Sequence, residues 1–202
     1  MRKRANLRWL IAIAIAAVAF PVGVALTSRY AQAASVALIV SLVASTIALG
    51  VIAVQPVLAA ARKIQRHQFF GVIALVLVLV HIAALFLESP DDLLFALSPD
   101  GPLRARMALI ATIALTLMAT LGALRPRLRW HPTTWRILHA YLAVVVIILG
   151  FGHALLTDGA LDGPLGDNLI IGLGLFGLAG AAAAQWARRT RRARPAKISD
   201  RT

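Results

Sequence analysis

Long apolar segments alternate with short polar segments along the chain. Each apolar segment is long enough, at about 20 residues, for an α-helix to cross the hydrocarbon core of a bilayer. No Lys or Arg lies in the interior of any of them. The segments are Trp9–Thr27, Ala34–Ala60, Phe69–Leu87, Met107–Leu124, Ile137–Leu156 and Leu169–Trp186. The pattern predicts a bundle of six transmembrane helices, numbered here as spans one to six.

The composition favours a membrane protein and excludes other classes. Of the 202 residues, 60% are hydrophobic and 14% are charged, and the mean hydropathy is +0.81. Soluble domains average about 45–50% apolar and about 25% charged residues, and disordered chains are poor in apolar residues. The absence of Cys removes disulfide frameworks, thiolate zinc sites, iron–sulfur clusters and cysteine nucleophiles. We therefore expect an all-α integral membrane protein.

The basic residues predict the orientation of the bundle. The net charge of +13 is gathered in loops on one side of the predicted membrane, which argues against nucleic acid as a partner. Groups of four, three, four and seven basic residues place eighteen of the 21 on that side. The other side holds only Arg29, Arg104 and Arg106, together with seven of the eight acidic residues. The positive-inside rule then makes both termini cytoplasmic.

The two ends of the chain and its tryptophans complete this topology. We expect the bundle to occupy residues 1–187 and a basic cytoplasmic tail to occupy residues 188–202. Ala31-Gln32-Ala33 resembles a signal peptidase site, but the first apolar run is longer than a usual signal sequence, so we expect span one to be retained. Tryptophans anchor helices at membrane interfaces. All four lie at the predicted cytoplasmic boundary: Trp9, Trp130, Trp135 and Trp186.

Histidines are the ionisable residues associated with the spans, where such residues are costly and suggest a function. His67 and His81 bracket the third span, and His139 and His153 bracket the fifth, with a spacing of 14 residues in both cases. Fourteen helical residues turn through about 1400°, close to four full turns, and rise by about 21 Å. Each pair therefore shares one helix face but is too widely separated to bind one small group. His131 lies in a cytoplasmic loop and is expected to be a surface residue.

Spans three and five run in the same direction, which places His67 at the depth of His139 and His81 at the depth of His153. Two imidazoles at one depth, without carboxylate or thiolate neighbours, suit an iron held axially in a heme. Zinc or copper would normally recruit more ligands. A single membrane histidine is often an interhelical hydrogen bonder, and His67 beside Arg66 could contact lipid headgroups. The repetition of the pair favours two stacked heme sites.

Around these histidines the sequence resembles the ferric reductase-like transmembrane domain, the heme-binding membrane domain of ferric-chelate reductases, NADPH oxidases and stand-alone bacterial relatives. The third helix of that family has a His, a Gly four residues later and a second His after 13 intervening residues. His67, Gly71 and His81 match this pattern. The similar segments of the fifth span are Trp135–Tyr141 and Gly152–Leu156, with His139 and His153. The resemblance implies two b-type hemes, each held by one histidine from either helix.

The resemblance also implies a heme-containing membrane subunit of an oxidoreductase in the bacterial inner (plasma) membrane. Many family members continue into a flavin and nicotinamide domain, which does not follow the sixth span here. We therefore expect a separate flavin/NAD(P)H reductase or a quinol as the electron donor, and an outer-face reductase as a candidate partner. Arg66 and Arg136 flank the inner ligands and are candidates for binding heme propionates, because Arg pairs with carboxylates. The alternative for both is ordinary positive-inside charge.

Two other functional classes remain open at this stage. A quinone-linked cytochrome b of another family would share the four histidines and oxidise quinol. A non-heme membrane transport or structural protein would use them as proton carriers or interhelical polar contacts. A heme absorption band in the purified protein would separate the last class from the first two.

Overall fold

The computed structural model describes residues 2–61 and 63–192, with side chains at 12–61, 63–187, 189 and 190. The structure is 87% helical, and the described residues form no strand. The helices are α1 (Arg2–Leu26), α2 (Arg29–Ala33), α3 (Val36–Ala60), α4 (Ile64–Glu88), α5 (Pro90–Leu97), α6 (Leu103–Leu128), α7 (Pro132–Leu155) and α8 (Pro164–Arg192). The all-helical prediction is confirmed. Residues 193–202 of the predicted tail lie outside the described residues.

Five helices are long and apolar enough to cross a membrane: α3, α4, α6, α7 and α8 as far as Ala187. They correspond to spans two to six. Within the side chains that the structure describes, α1 contributes a shorter apolar stretch, Ala12–Leu26. The hydrophobic pattern did not predict the short helices α2 and α5, because helices of five and eight residues are too short to show a reliable period.

Side chains cap the starts of α3 and α7. Ser35 directly precedes α3, and its Oγ accepts a hydrogen bond from the N–H of Leu38 at 3.2 Å. His131 directly precedes α7, and its Nδ1 accepts a hydrogen bond from the N–H of Thr133 at 3.3 Å. Such bonds satisfy backbone donors that the first helical turn leaves without partners. His131 is exposed, as the sequence predicted, and acts as a cap.

Helix α3 is the central element of the bundle. It packs against α1, α4 and α8, and 44% of its apolar window is buried, the largest share among the five long helices. Its residues Val51, Ile52 and Ala53 join Leu142 and Val146 of α7 in the buried core. Because α3 touches so many neighbours, its polar residues can reach groups on several helices.

The histidine-bearing helices α4 and α7 do not pack closely against each other along their described backbones. Helix α4 packs on α3 and α6, whereas α7 packs on α6 and α8. Helix α4 has the highest mean hydropathy of the five, 2.9, yet only 11% of its apolar window is buried. Helices α3 and α6 each contact both of these helices.

Large apolar side chains cover the outside of the bundle. Val36 is 80% exposed, Leu87 is 77% exposed and Ile137 is 66% exposed. Soluble monomers rarely expose contiguous apolar surface on this scale. The exposed side chains support a surface that contacts lipid.

Candidate functional site

The first pair consists of His67 and His139, near the starts of α4 and α7. The centroids of the two imidazole rings lie 5.8 Å apart, and the ring planes are inclined by 75°. Both side chains are partly buried. We call His67 and His139 the inner pair.

The second pair consists of His81 and His153, close to the opposite ends of the same two helices. Both side chains are partly buried. We call them the outer pair. Since His67 and His139, both near the starts of their helices, lie side by side, the two helices run parallel.

Helix α3 provides a hydrogen-bond acceptor to each histidine of α4. The Nδ1 of His67 lies 3.2 Å from the backbone oxygen of Gln55. The Nδ1 of His81 lies 3.2 Å from the backbone oxygen of Ser41 and 2.8 Å from its Oγ. A carbonyl oxygen only accepts hydrogen bonds, so Nδ1 carries the proton wherever it bonds to the carbonyl. At His81 the Ser41 hydroxyl is the nearer partner, and a hydroxyl both donates and accepts.

His153 on α7 also has a backbone oxygen beside its Nδ1, but this oxygen belongs to α6. Its Nδ1 lies 3.0 Å from the backbone oxygen of Arg104 in the first turn of α6. Metal-binding histidines almost always donate their other ring N–H to a carbonyl, a carboxylate or water, which fixes the ring orientation and raises the basicity of the ligating nitrogen. Three of the four histidines thus have the supporting contact that metal ligands require.

Sequence reasoning missed Ser41 and Gln55, although a signal for both was present. They lie 14 residues apart, the same interval that separates His67 from His81. In an antiparallel helix pair, two matching intervals place each polar residue of one helix beside one histidine of the other. The signal is visible only once α3 and α4 are known to be neighbours. The carbonyl of Arg104 leaves no signal at all, because every residue has one.

Trp135 has a different role from the interfacial anchor that the sequence suggested. Its side chain is only 9% exposed, and its ring centroid lies 5.2 Å from that of His139 at an inclination of 32°. The guanidinium carbon of Arg125 lies 5.6 Å from the Trp135 ring centroid, within the range of a cation–π contact. Trp135 therefore packs on the inner pair, which restricts the rotation of His139.

The other tryptophans lie differently. Trp130 is 41% exposed and Trp186 is 70% exposed, as expected of side chains at a membrane boundary. The side chain of Trp9 lies outside the described residues.

The charged residues near the histidines have contacts of their own. Arg136 donates a hydrogen bond to the Oγ1 of Thr133 at 3.0 Å, and Arg66 is exposed at the start of α4. On the outer side, Asp158 lies 3.9 Å from the guanidinium of Arg104. Glu88 accepts a hydrogen bond from the hydroxyl of Ser35. Neither acidic side chain contacts an outer histidine in these hydrogen bonds and ion pairs.

The donor set fits an axially ligated heme better than a metal ion held by protein alone. Within the described residues, no group of three or more His, Cys, Asp or Glu could hold a metal ion. Two imidazoles at each of two levels are the donors that would remain for the iron of a heme, which supplies its own four ring nitrogens.

No protein-family model matches the chain, and no curated protein or solved structure is significantly similar to it. Similarity to a known protein therefore assigns no function. The function has to be argued from the two histidine pairs and the contacts around them.

The hydrogen bonds to carbonyl oxygens predict the tautomer of three histidines. In heme-free protein, the Nδ1 of His67, His81 and His153 should carry a proton, because Nδ1 must donate to the neighbouring carbonyl oxygen. ¹⁵N NMR of histidine-labelled protein would measure this, and single His→Gln variants would assign the signals. Protonation at Nε2 alone in any of the three would contradict the arrangement at that site.

Proposed function

We propose that this protein transfers electrons across a membrane through two b-type hemes, each held between one histidine of α4 and one of α7. The inner heme would be ligated by His67 and His139, and the outer heme by His81 and His153. The protein would be the heme-containing membrane subunit of an oxidoreductase, similar in design to the ferric reductase-like transmembrane domain. A heme iron with two axial imidazoles supplies one-electron redox chemistry.

The observation that carries this proposal is the set of carbonyl contacts at His67, His81 and His153. A histidine that serves only as an interhelical hydrogen bonder satisfies its role with one contact. Here that contact engages Nδ1 and orients the imidazole ring. Three such rings, distributed over two levels of the bundle, support ligation at both levels.

The described backbones of α4 and α7 do not pack closely against each other, which is compatible with a flat ring system between their histidines. Small residues lie near the histidines at both levels: Gly71 follows His67 by one turn, and Gly150 precedes His153 by one turn. A Cβ at Gly150 would meet no atom within 4 Å, and one at Gly71 would meet only the Gln55 amide nitrogen, at 4.0 Å.

The chain's own residues would then hold and orient the prosthetic groups. Carbonyl oxygens of α3 and α6 fix three imidazoles, and Trp135 packs against the fourth. Rigidly oriented ligands change little in geometry when the iron changes its oxidation state, which favours rapid electron exchange. Arg66 and Arg136 remain the proposed cationic neighbours of the inner propionates.

We further propose that α1 also crosses the membrane, as span one, which gives six spans in total. Both termini would then lie in the cytoplasm of a bacterial cell, with the bundle in the inner membrane. The distribution of basic residues supports this orientation. The inner pair would then face a cytoplasmic flavin/NAD(P)H reductase or a membrane quinol as the donor. The outer pair would face an acceptor, such as a partner reductase, on the other side.

The first expected result is two non-covalently bound hemes per chain. Protein purified from heme-supplied cells should give two hemes in a pyridine hemochrome assay, and its reduced spectrum should be that of low-spin b-type heme, because each iron has two imidazole ligands. No Cys is present for covalent attachment. A preparation without heme would favour the transport or structural class instead.

The pairing of the histidines can be tested separately. His81→Ala and His153→Ala should each remove or convert to high spin the same outer heme, and His67→Ala and His139→Ala should do so for the inner heme. Each variant should therefore retain about half of the low-spin signal expected for two equivalent sites. Redox titration would distinguish the two hemes.

His131→Asn is the matched control for these variants, because Asn preserves the helix cap at a histidine outside both pairs. Its heme content and spectrum should equal those of the wild type. If His67→Ala and His81→Ala perturbed one common heme, the pairing between parallel helices would be wrong.

The orientation is tested by reporter fusions. Fusions that are active only in the cytoplasm should be active at both termini, and periplasmic reporters should be active only in the α1–α3, α4–α6 and α7–α8 connections. An active periplasmic reporter at the carboxyl terminus would reverse the assignment of inner and outer hemes. It would leave the histidine pairing itself intact.

A further inference from the structure

Gln55 occupies an unusual position next to the inner pair. Its backbone oxygen accepts the hydrogen bond of His67, whereas its side chain makes no such contact. Both polar atoms of the carboxamide, Oε1 and Nε2, are buried and have no hydrogen-bond partner among the described residues. Gln55 therefore holds three unused hydrogen-bonding functions, one acceptor and two N–H donors, inside the bundle.

The comparison with Ser41 shows that this is not required by the helix packing. Ser41 lies beside His81 just as Gln55 lies beside His67, at the same 14-residue interval. The Oγ of Ser41 is used, because it lies 2.8 Å from the Nδ1 of His81. At the inner level, the backbone oxygen of Gln55 accepts the hydrogen bond of His67. The contact with a histidine therefore accounts for the side chain of Ser41 but not for the side chain of Gln55.

A buried amide without a partner destabilises a protein, especially at membrane depth, where no water can replace the missing bonds. Such groups are retained where a bound water, ion or ligand supplies the partner. The amide nitrogen of Gln55 lies 4.0 Å from the position that a Cβ on Gly71 would take, and Gly71 is one turn from His67. The amide thus adjoins the open position beside the inner ligand.

We propose that the Gln55 carboxamide binds the ligand of the inner histidine pair by donating an N–H to an oxygen atom of that ligand. This inference rests on the proposed function and adds a binding residue to its inner site. Two sources supply the same acceptor chemistry, namely a carboxylate of the inner heme or the carbonyl of a quinone. Both present an oxygen lone pair to the amide, and the experiment below separates them.

The test compares Gln55→Leu with Gln68→Leu in the full chain. Leu is similar in size to Gln but forms no hydrogen bond. Gln68 is exposed on α4 and directly follows His67, so its substitution controls for loss of an amide near the site. Three quantities are measured: thermal unfolding of heme-free protein, the rate of heme release to a scavenging protein, and the affinity for a short-chain quinone.

Without heme, Gln55→Leu should be at least as stable as the wild type, because it removes an amide that has no partner. In loaded protein, its inner heme should dissociate about tenfold faster, the effect of losing one hydrogen bond to a charged group, while the outer heme is unchanged. Unchanged heme release combined with about tenfold weaker quinone binding would assign the bond to a quinone. Gln68→Leu should behave as the wild type in each measurement.

The inference is overturned if Gln55→Leu stays within about twofold of Gln68→Leu in both heme release and quinone affinity. It is also overturned if Gln55→Leu lowers the stability of the heme-free protein and its ligand binding alike, which would indicate a packing role. Failure of the proposed function has a separate sign, because wild-type protein would then lack heme. If wild-type protein lacks heme but binds quinone, and Gln55→Leu loses that binding, the proposed function fails and the role of the Gln55 amide is supported. If wild-type protein binds neither heme nor quinone, the proposed function and the role of Gln55 both fail.

Discussion

The antiparallel contact between α3 and α4 is the constraint on which both candidate sites depend. It places Ser41 beside His81 and Gln55 beside His67, so one helix register orients histidines at two levels of the bundle. A shift of one residue between the helices would turn these contacts away by about 100°. The buried small residues of α3, among them Ala44 and Ala48, allow the close packing that holds such a register in lipid.

The relation between the two histidine helices follows from this arrangement. Because α3 and α6 each contact both of them, they hold α4 and α7 in place without close packing between the described backbones. The histidine side chains meet between the helices, where the rings of His67 and His139 lie 5.8 Å apart. Three of the four histidines have an Nδ1 that contacts a backbone oxygen of α3 or α6, so these two helices also orient the rings.

The two levels have different surroundings, which gives each site a separate chemistry. The inner pair has an aromatic neighbour, Trp135, with the cation of Arg125 on its ring. The outer pair has the hydroxyl of Ser41 and the carbonyl of Arg104. Hydrogen bonding to an axial imidazole and the nearby charge both adjust the redox potential of a bound heme. Two hemes in these environments would have unequal potentials, as directed electron transfer requires.

The sequence alone determined the helical class, the five long apolar helices and the spacing of the histidines along two of them, because apolar length and a 14-residue interval are local properties of a helix. Tertiary structure decided the rest. Trp135 was expected at the interface, but packing on His139 buries it. Ser41 and Gln55 gained their roles only when α3 became the neighbour of α4, and Arg104 contributes a backbone atom that any residue would supply. Contacts between residues far apart in the chain depend on which helices pack together and in what register, and hydrophobic periodicity does not encode that choice.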